Sequence, residues 1–151
     1  MTRATPHDDK QTLEPTPRRY FTLAEARRAL VLVNRIAMDI QRIELQRRKL
    51  VHQTASSHEQ PSADQANAIE TQFDGMTEQL TRLLEELAAV GVELKDPTRG
   101  LLDFPSRFNG RDILLCWQIG EPTINFWHDI SAGFAGRRSV RELELQPQAV
   151  G

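Results

Sequence analysis

The sequence predicts an α+β fold, a long antiparallel helical hairpin carrying a small C-terminal antiparallel β-sheet. Three observations predict it. Two long segments repeat apolar residues at helical intervals, and each opens on a capping box. Past residue 91 the chain changes to short runs of β-branched and aromatic residues separated by turn residues. The composition leaves room for one domain: 151 residues, 39% hydrophobic and 26% charged.

Residues 1–17 contain three prolines, no aromatic residue and almost no apolar side chain, so a disordered tail is expected. A single domain is expected over 18–140, with a frayed tail over 141–151. The first helix is placed at 22–54. Thr22-Leu23-Ala24-Glu25 forms its capping box, and Leu23, Ala26, Leu30, Val33, Ala37 and Ile40 fall on one face. The stretch 55–63 breaks the pattern, and Ser62-Ala63-Asp64-Gln65 opens a second helix over 62–91. Ile69, Phe73, Met76, Leu80, Leu83, Leu87 and Val90 then recur at steps of 4, 3, 4, 3, 4 and 3, a seam rather than a broad face. Gly75 lies inside this helix, at a cost of roughly 1 kcal/mol against Ala. Gly91 closes it as a left-handed cap, with Val92 as the apolar contact.

Folding back about the loop sets Ile43 near Phe73, Ile36 near Leu80 and Leu30 near Leu87. Between 22 and 51 there are seven Lys/Arg and three acids, and between 62 and 91 six acids and only Arg82. Pairs of Arg42 and Arg47 with the Glu70–Asp74 region, and of Arg28 with Glu85 and Glu86, are expected to orient the hairpin more than to stabilise it. Leu32, Ile36, Met38, Leu45 and Leu84 lie off the main seam. Apolar residues on the flanks of rods roughly 40 Å long suggest a second hairpin alongside, hence a homodimer.

The β-rich part occupies 92–140. Residues 113–119 and 123–128 read as a hairpin about Gly120-Glu121-Pro122. With the tip at Glu121-Pro122, Trp117 opposes Phe126 and Leu115 opposes His128. One face is then Ile113, Leu115, Trp117, Ile119, Ile124, Phe126, His128 and Ile130, lying against the helices. Residues 100–104 are a third strand that Pro105 stops, and 106–112 return the chain.

GVELKD, GLLDFP, LCWQIGEP and FWHDISAGFAGR, following a charged helical hairpin that opens with FTLAEA, mark a resemblance over roughly residues 20–138. The chain resembles the uncharacterised, mostly bacterial family catalogued as domain of unknown function 2203. The resemblance implies no established reaction.

Six residues form the candidate ligand site: Asp103, Glu121, Trp127, His128, Phe134 and Arg137. His128 could serve as a general base or metal ligand; its structural alternative is a buried imidazole bonded to a backbone carbonyl or to Asp103. No second His or Cys lies at ligand spacing, so no metal is expected, and no cofactor motif is present. Cys116 and His128 point to opposite faces in the register above, which argues against a catalytic dyad and for a structural thiol. The turn Gly133-Phe134-Ala135-Gly136-Arg137 could cradle a carboxylate or phosphate. Equally, Arg137 could pair with Asp103 or Glu121 as a latch. Asp103, Glu121 and Asp129 offer carboxylates, with turn and capping roles the commoner use.

The net charge of −2 supplies no basic field, and Arg47-Arg48-Lys49 reads as a paired, solvated face, so nucleic-acid binding is disfavoured. Apolar runs are too short to span a bilayer, no signal-peptide pattern follows Met1, and one cysteine permits no internal disulfide. A cytoplasmic protein is expected. The leading functional expectation is a small, non-enzymatic, self-associating interaction module. It would bind itself, or another protein, through the helical hairpin. The rival is a small-anion or small-ligand site, enzymatic or not, at the end of the β-hairpin.

Overall fold

The computed structural model describes residues 19–144. The expected tail 1–17 and residues 145–151 lie outside the described residues. The order is α1 (Leu23–Ala55), α2 (Ala63–Val90), β1 (Glu93–Asp96), β2 (Leu101–Phe108), β3 (Arg111–Gln118), β4 (Phe126–Asp129), a 3-10 turn (Phe134–Gly136), β5 (Arg138–Ser139) and α3 (Arg141–Glu144). The five strands form one antiparallel sheet in chain order, so the architecture is α+β.

Both capping boxes form: Thr22 with Glu25, and Ser62 with Gln65. At the end of α2, Gly91 takes φ 94°, its N–H bonds Ala88 O, and the Val92 N–H bonds Leu87 O. That double bond is the Schellman arrangement, which satisfies carbonyls a straight helix leaves orphaned. The seven seam residues of α2 are the only ones in it that are buried or half-buried. α2 therefore rests on one narrow line. α1 is buried more broadly, because it packs on α2 and on the inner face of the sheet. Arg27 donates to Ile124 O at 3.0 Å and Gln41 to Thr98 O at 2.8 Å, tying α1 to the connection before β4 and to the turn between β1 and β2.

The helical charges do not pair as expected. Arg42 pairs with Asp39, and Arg47 and Arg48 with Glu44, all within α1 rather than across to α2. Neighbours one turn apart are simply closer than the facing helix. Ile36, set both against Leu80 and among the flank residues, is buried in the core, which removes it from the flank.

The sheet departs from expectation in three ways. Pro105 does not stop β2, which runs on to Phe108. Pro105 lies opposite Leu114, past the point where β1 stops pairing at Asp103. Its carbonyl accepts the Phe21 N–H at 2.7 Å, so its backbone faces the free edge, where a missing N–H removes no strand pairing. Phe21 seals that edge, since its carbonyl accepts from Ser106 Oγ and its ring stands edge-on to Phe104, with centroids 5.4 Å apart. Secondly, 106–112 do not merely return the chain. Phe108 pairs Arg111 across Asn109-Gly110, whose φ values of 52° and 74° suit a two-residue hairpin.

Thirdly, β3 and β4 pair one residue away from the expected register. Leu115 opposes Trp127, Leu114 opposes His128, and Cys116 opposes Phe126. Gly120-Glu121-Pro122 is not a tight tip; the connection occupies 119–125. A one-residue slip moves every side chain of a strand to the other face. Trp127 therefore joins Leu102, Phe104, Ile113, Leu115 and Trp117 in the core beneath the helices, and Phe126 and His128 turn outward. Ile130, expected in the buried face, is exposed. At the C-terminus Val140 is buried and its N–H bonds Asn125 O, and one turn of helix, Arg141–Glu144, follows.

Candidate functional site

The outer face of the sheet, away from the helices, carries polar residues that the chain nevertheless buries. Asp103 on β2 stands directly opposite Cys116 on β3. His128 on β4 lies two residues beyond Phe126, the partner of Cys116, so the three side chains adjoin on one face. Asp103 and His128 are each 2% exposed and Cys116 1%. The expectation that Cys116 and His128 point apart is corrected here, because it rested on the slipped register.

His128 is held at both ring nitrogens. Nδ1 lies 2.8 Å from Asp129 O, and Nε2 lies 3.1 Å from each carboxylate oxygen of Asp103. A carbonyl oxygen only accepts, so Nδ1 donates to Asp129 O, and Nε2 faces the Asp103 carboxylate. Cys116 bonds the same carboxylate, and burial, followed by the Asp103 charge, pushes its thiol up to about 12. A thiol so placed stays protonated and is a poor nucleophile. One ligand atom from each of Asp103, Cys116 and His128 lies within 4.8 Å of the others.

The segment 130–134 folds over this face and leaves a cavity of about 300 Å³. Lys95, Leu101, Asp103, Leu114, His128, Ile130 and Phe134 line it. Lys95 is held beside it by Glu93, at 2.9 Å.

Arg137 and Glu121 lie apart from that cavity and pair with each other. Arg137 Nη2 contacts Glu121 Oε1 at 2.5 Å, and Glu121 also accepts the Gln118 N–H at 2.6 Å. The guanidinium is sandwiched between the rings of Phe126, 4.1 Å away, and Phe134, 4.6 Å away. Its Nη2 is turned to its own chain, toward Glu121 and the Cys116 carbonyl, while the buried Nε has no partner among the described residues. This is the pairing that the latch alternative expects, joining the 119–125 connection to the turn that covers the outer face.

Of the six sequence candidates, the structure gathers Asp103, His128 and Phe134 around the cavity and pairs Glu121 with Arg137 beside it. It removes Trp127 to the helical side, where Arg138 stacks on its ring at 4.9 Å. A family model described as "Uncharacterized conserved protein (DUF2203)" matches residues 19–140. The chain belongs to the DUF2203 family. The DUF2203 match contains Asp103, Cys116 and His128, and also the Glu121–Arg137 latch. No curated protein and no solved structure matches the chain.

Cys116 and Lys95 are the residues that sequence reasoning missed. The signal for Cys116 was present: counting outward from the Asn109-Gly110 hairpin turn, with Phe108 opposite Arg111, sets Asp103 opposite Cys116. Lys95 sits on β1, four residues long, with no apolar alternation to announce it.

Proposed function

We propose that this protein is a small, non-enzymatic interaction module that self-associates through the outer side of its helical hairpin. The observation that carries the reading is a second seam on α1, opposite its core face. Arg28, Val31, Arg35, Met38, Arg42, Leu45 and Lys49 follow one another at steps of 3 and 4, and all are exposed. Val31 is 74% exposed, Met38 52% and Leu45 51%, large apolar side chains at a fixed interval on a face otherwise basic. Repetition every seven residues is what a helical partner requires and a solvated face does not.

A second copy has the matching surface. On the outer side of α2, Thr71, Asp74, Glu78, Thr81, Glu85 and Ala88 also recur at steps of 3 and 4, exposed and acidic. A two-fold arrangement sets α1 against the partner's α2 twice over, with basic seams facing acidic ones. The charge asymmetry between the helices, which finds little use inside one hairpin, then acts between hairpins. We place the protein in the cytoplasm, where its one cysteine would remain the free thiol described above. Among the described residues no helix is long and apolar enough to cross a membrane.

Light scattering on the full chain at micromolar concentration tests the reading. A dimer mass, twice the 17.2 kDa of one chain, is expected, falling toward the single-chain mass as salt is raised. A single-chain mass at low salt contradicts it.

A further inference from the structure

We propose that Asp103, Cys116 and His128 form a binding site for one zinc-like divalent transition-metal ion on the outer face of the sheet. The three supply an oxygen, a sulfur and a nitrogen ligand, the mixture that suits a four-coordinate zinc site with one position left open. Ligands about 2.0–2.3 Å from such an ion stand roughly 3.3–3.7 Å from each other. The His128–Asp103 separation is already 3.1 Å, and all three ligand atoms lie within 4.8 Å. Small side-chain rotations close the remaining gap.

Two features separate this cluster from an ordinary buried ion pair. The first is orientation. His128 Nδ1 donates to the Asp129 carbonyl, which aims Nε2 at the cluster. Metal-bound histidines are held in this way by a backbone or carboxylate acceptor. The second is the charge balance. Neutral imidazole, carboxylate and thiolate around a 2+ charge make a group with no net charge, so a bound ion leaves no uncompensated charge in the interior, which would be costly. The Arg137 guanidinium, which touches Cys116, is already neutralised by Glu121.

Asp103 and His128 both line the cavity beneath residues 130–134, which leaves room for a fourth ligand on that side.

The experiment is titration of the metal-stripped full chain with Co²⁺, read by absorption. Cys116 is the only cysteine in the chain, so a thiolate-to-cobalt charge-transfer band can come from no other residue. The expected result is one equivalent of Co²⁺ with that band and the strong visible bands of tetrahedral cobalt, both abolished by an equivalent of Zn²⁺. Cys116→Ala, with its fold checked by circular dichroism, loses the charge-transfer band. His128→Gln weakens Co²⁺ by more than the roughly 100-fold that marks the upper end of outer-shell changes. Absence of the thiolate band in the wild-type protein at saturating Co²⁺ overturns the proposal, whether or not the variants fold. So does undiminished affinity in a folded Cys116→Ala or His128→Gln variant.

Discussion

The imidazole of His128 presents Nε2 to both carboxylate oxygens of Asp103 at 3.1 Å, on adjoining stretches of a sheet that hides both residues from water. Asp103→Ala leaves Nε2 buried against nothing and should cost roughly 2–4 kcal/mol. Asp103→Asn keeps a hydrogen-bonding group there and should cost less. Urea unfolding of the metal-free protein measures both, and equal losses for the two variants contradict this reading.

The Glu121–Arg137 pair is a half-buried junction, and it clasps the turn that covers the outer face. Arg137→Met retains the contact with Phe126 and Phe134 but leaves the Glu121 carboxylate with the Gln118 N–H alone. It should lower stability by roughly 1–2 kcal/mol and shift the melting temperature down accordingly. An unchanged melting temperature would identify Arg137 as available for an anion instead.

Much of this fold is written locally in the sequence. Thr22 with Glu25, and Ser62 with Gln65, mark where the helices start, and the run from Ile69 to Val90 marks which side of α2 is buried. Such signals lie within one or two helical turns. The sheet is different because it is covered on both faces. Residues 101–106 and 113–117 are buried without interruption, so alternation cannot tell the helical side from the outer side. Register alone decides it, and Gly120-Glu121-Pro122 mimics a tight turn in a connection that is longer. That exchange moved Trp127 out of the candidate site and hid the adjacency of Cys116 and His128. The latch was legible only as one of two alternatives, because partner choice for Arg137 depends on where the 119–125 connection lies in space.

Acid should weaken the fold in a defined window. Hydrogen bonding from Arg47 holds Glu44 below its ordinary value near 4.5, and the Thr22 cap and the turn at 98–99 do the same for Glu25 and Asp96. Carboxyls depressed in the folded state bind protons more readily once unfolded. Their stabilisation is therefore complete above the ordinary carboxylate values and is lost as pH falls through them. The melting temperature should be flat from pH 7 to about 5 and decline below about 4.5. Glu44→Gln should make that decline shallower, and an identical slope would exclude Glu44 from it.

Self-association along the outer seam of α1 is tested most directly by sedimentation equilibrium of the wild-type chain beside Met38→Asp. Met38 is 52% exposed at the middle of the seam, so a carboxylate there should leave the single chain folded and its circular dichroism unchanged. The wild type should sediment at twice 17.2 kDa, and Met38→Asp at 17.2 kDa. A wild-type protein at the single-chain mass, or a dimer that survives Met38→Asp, would contradict the account.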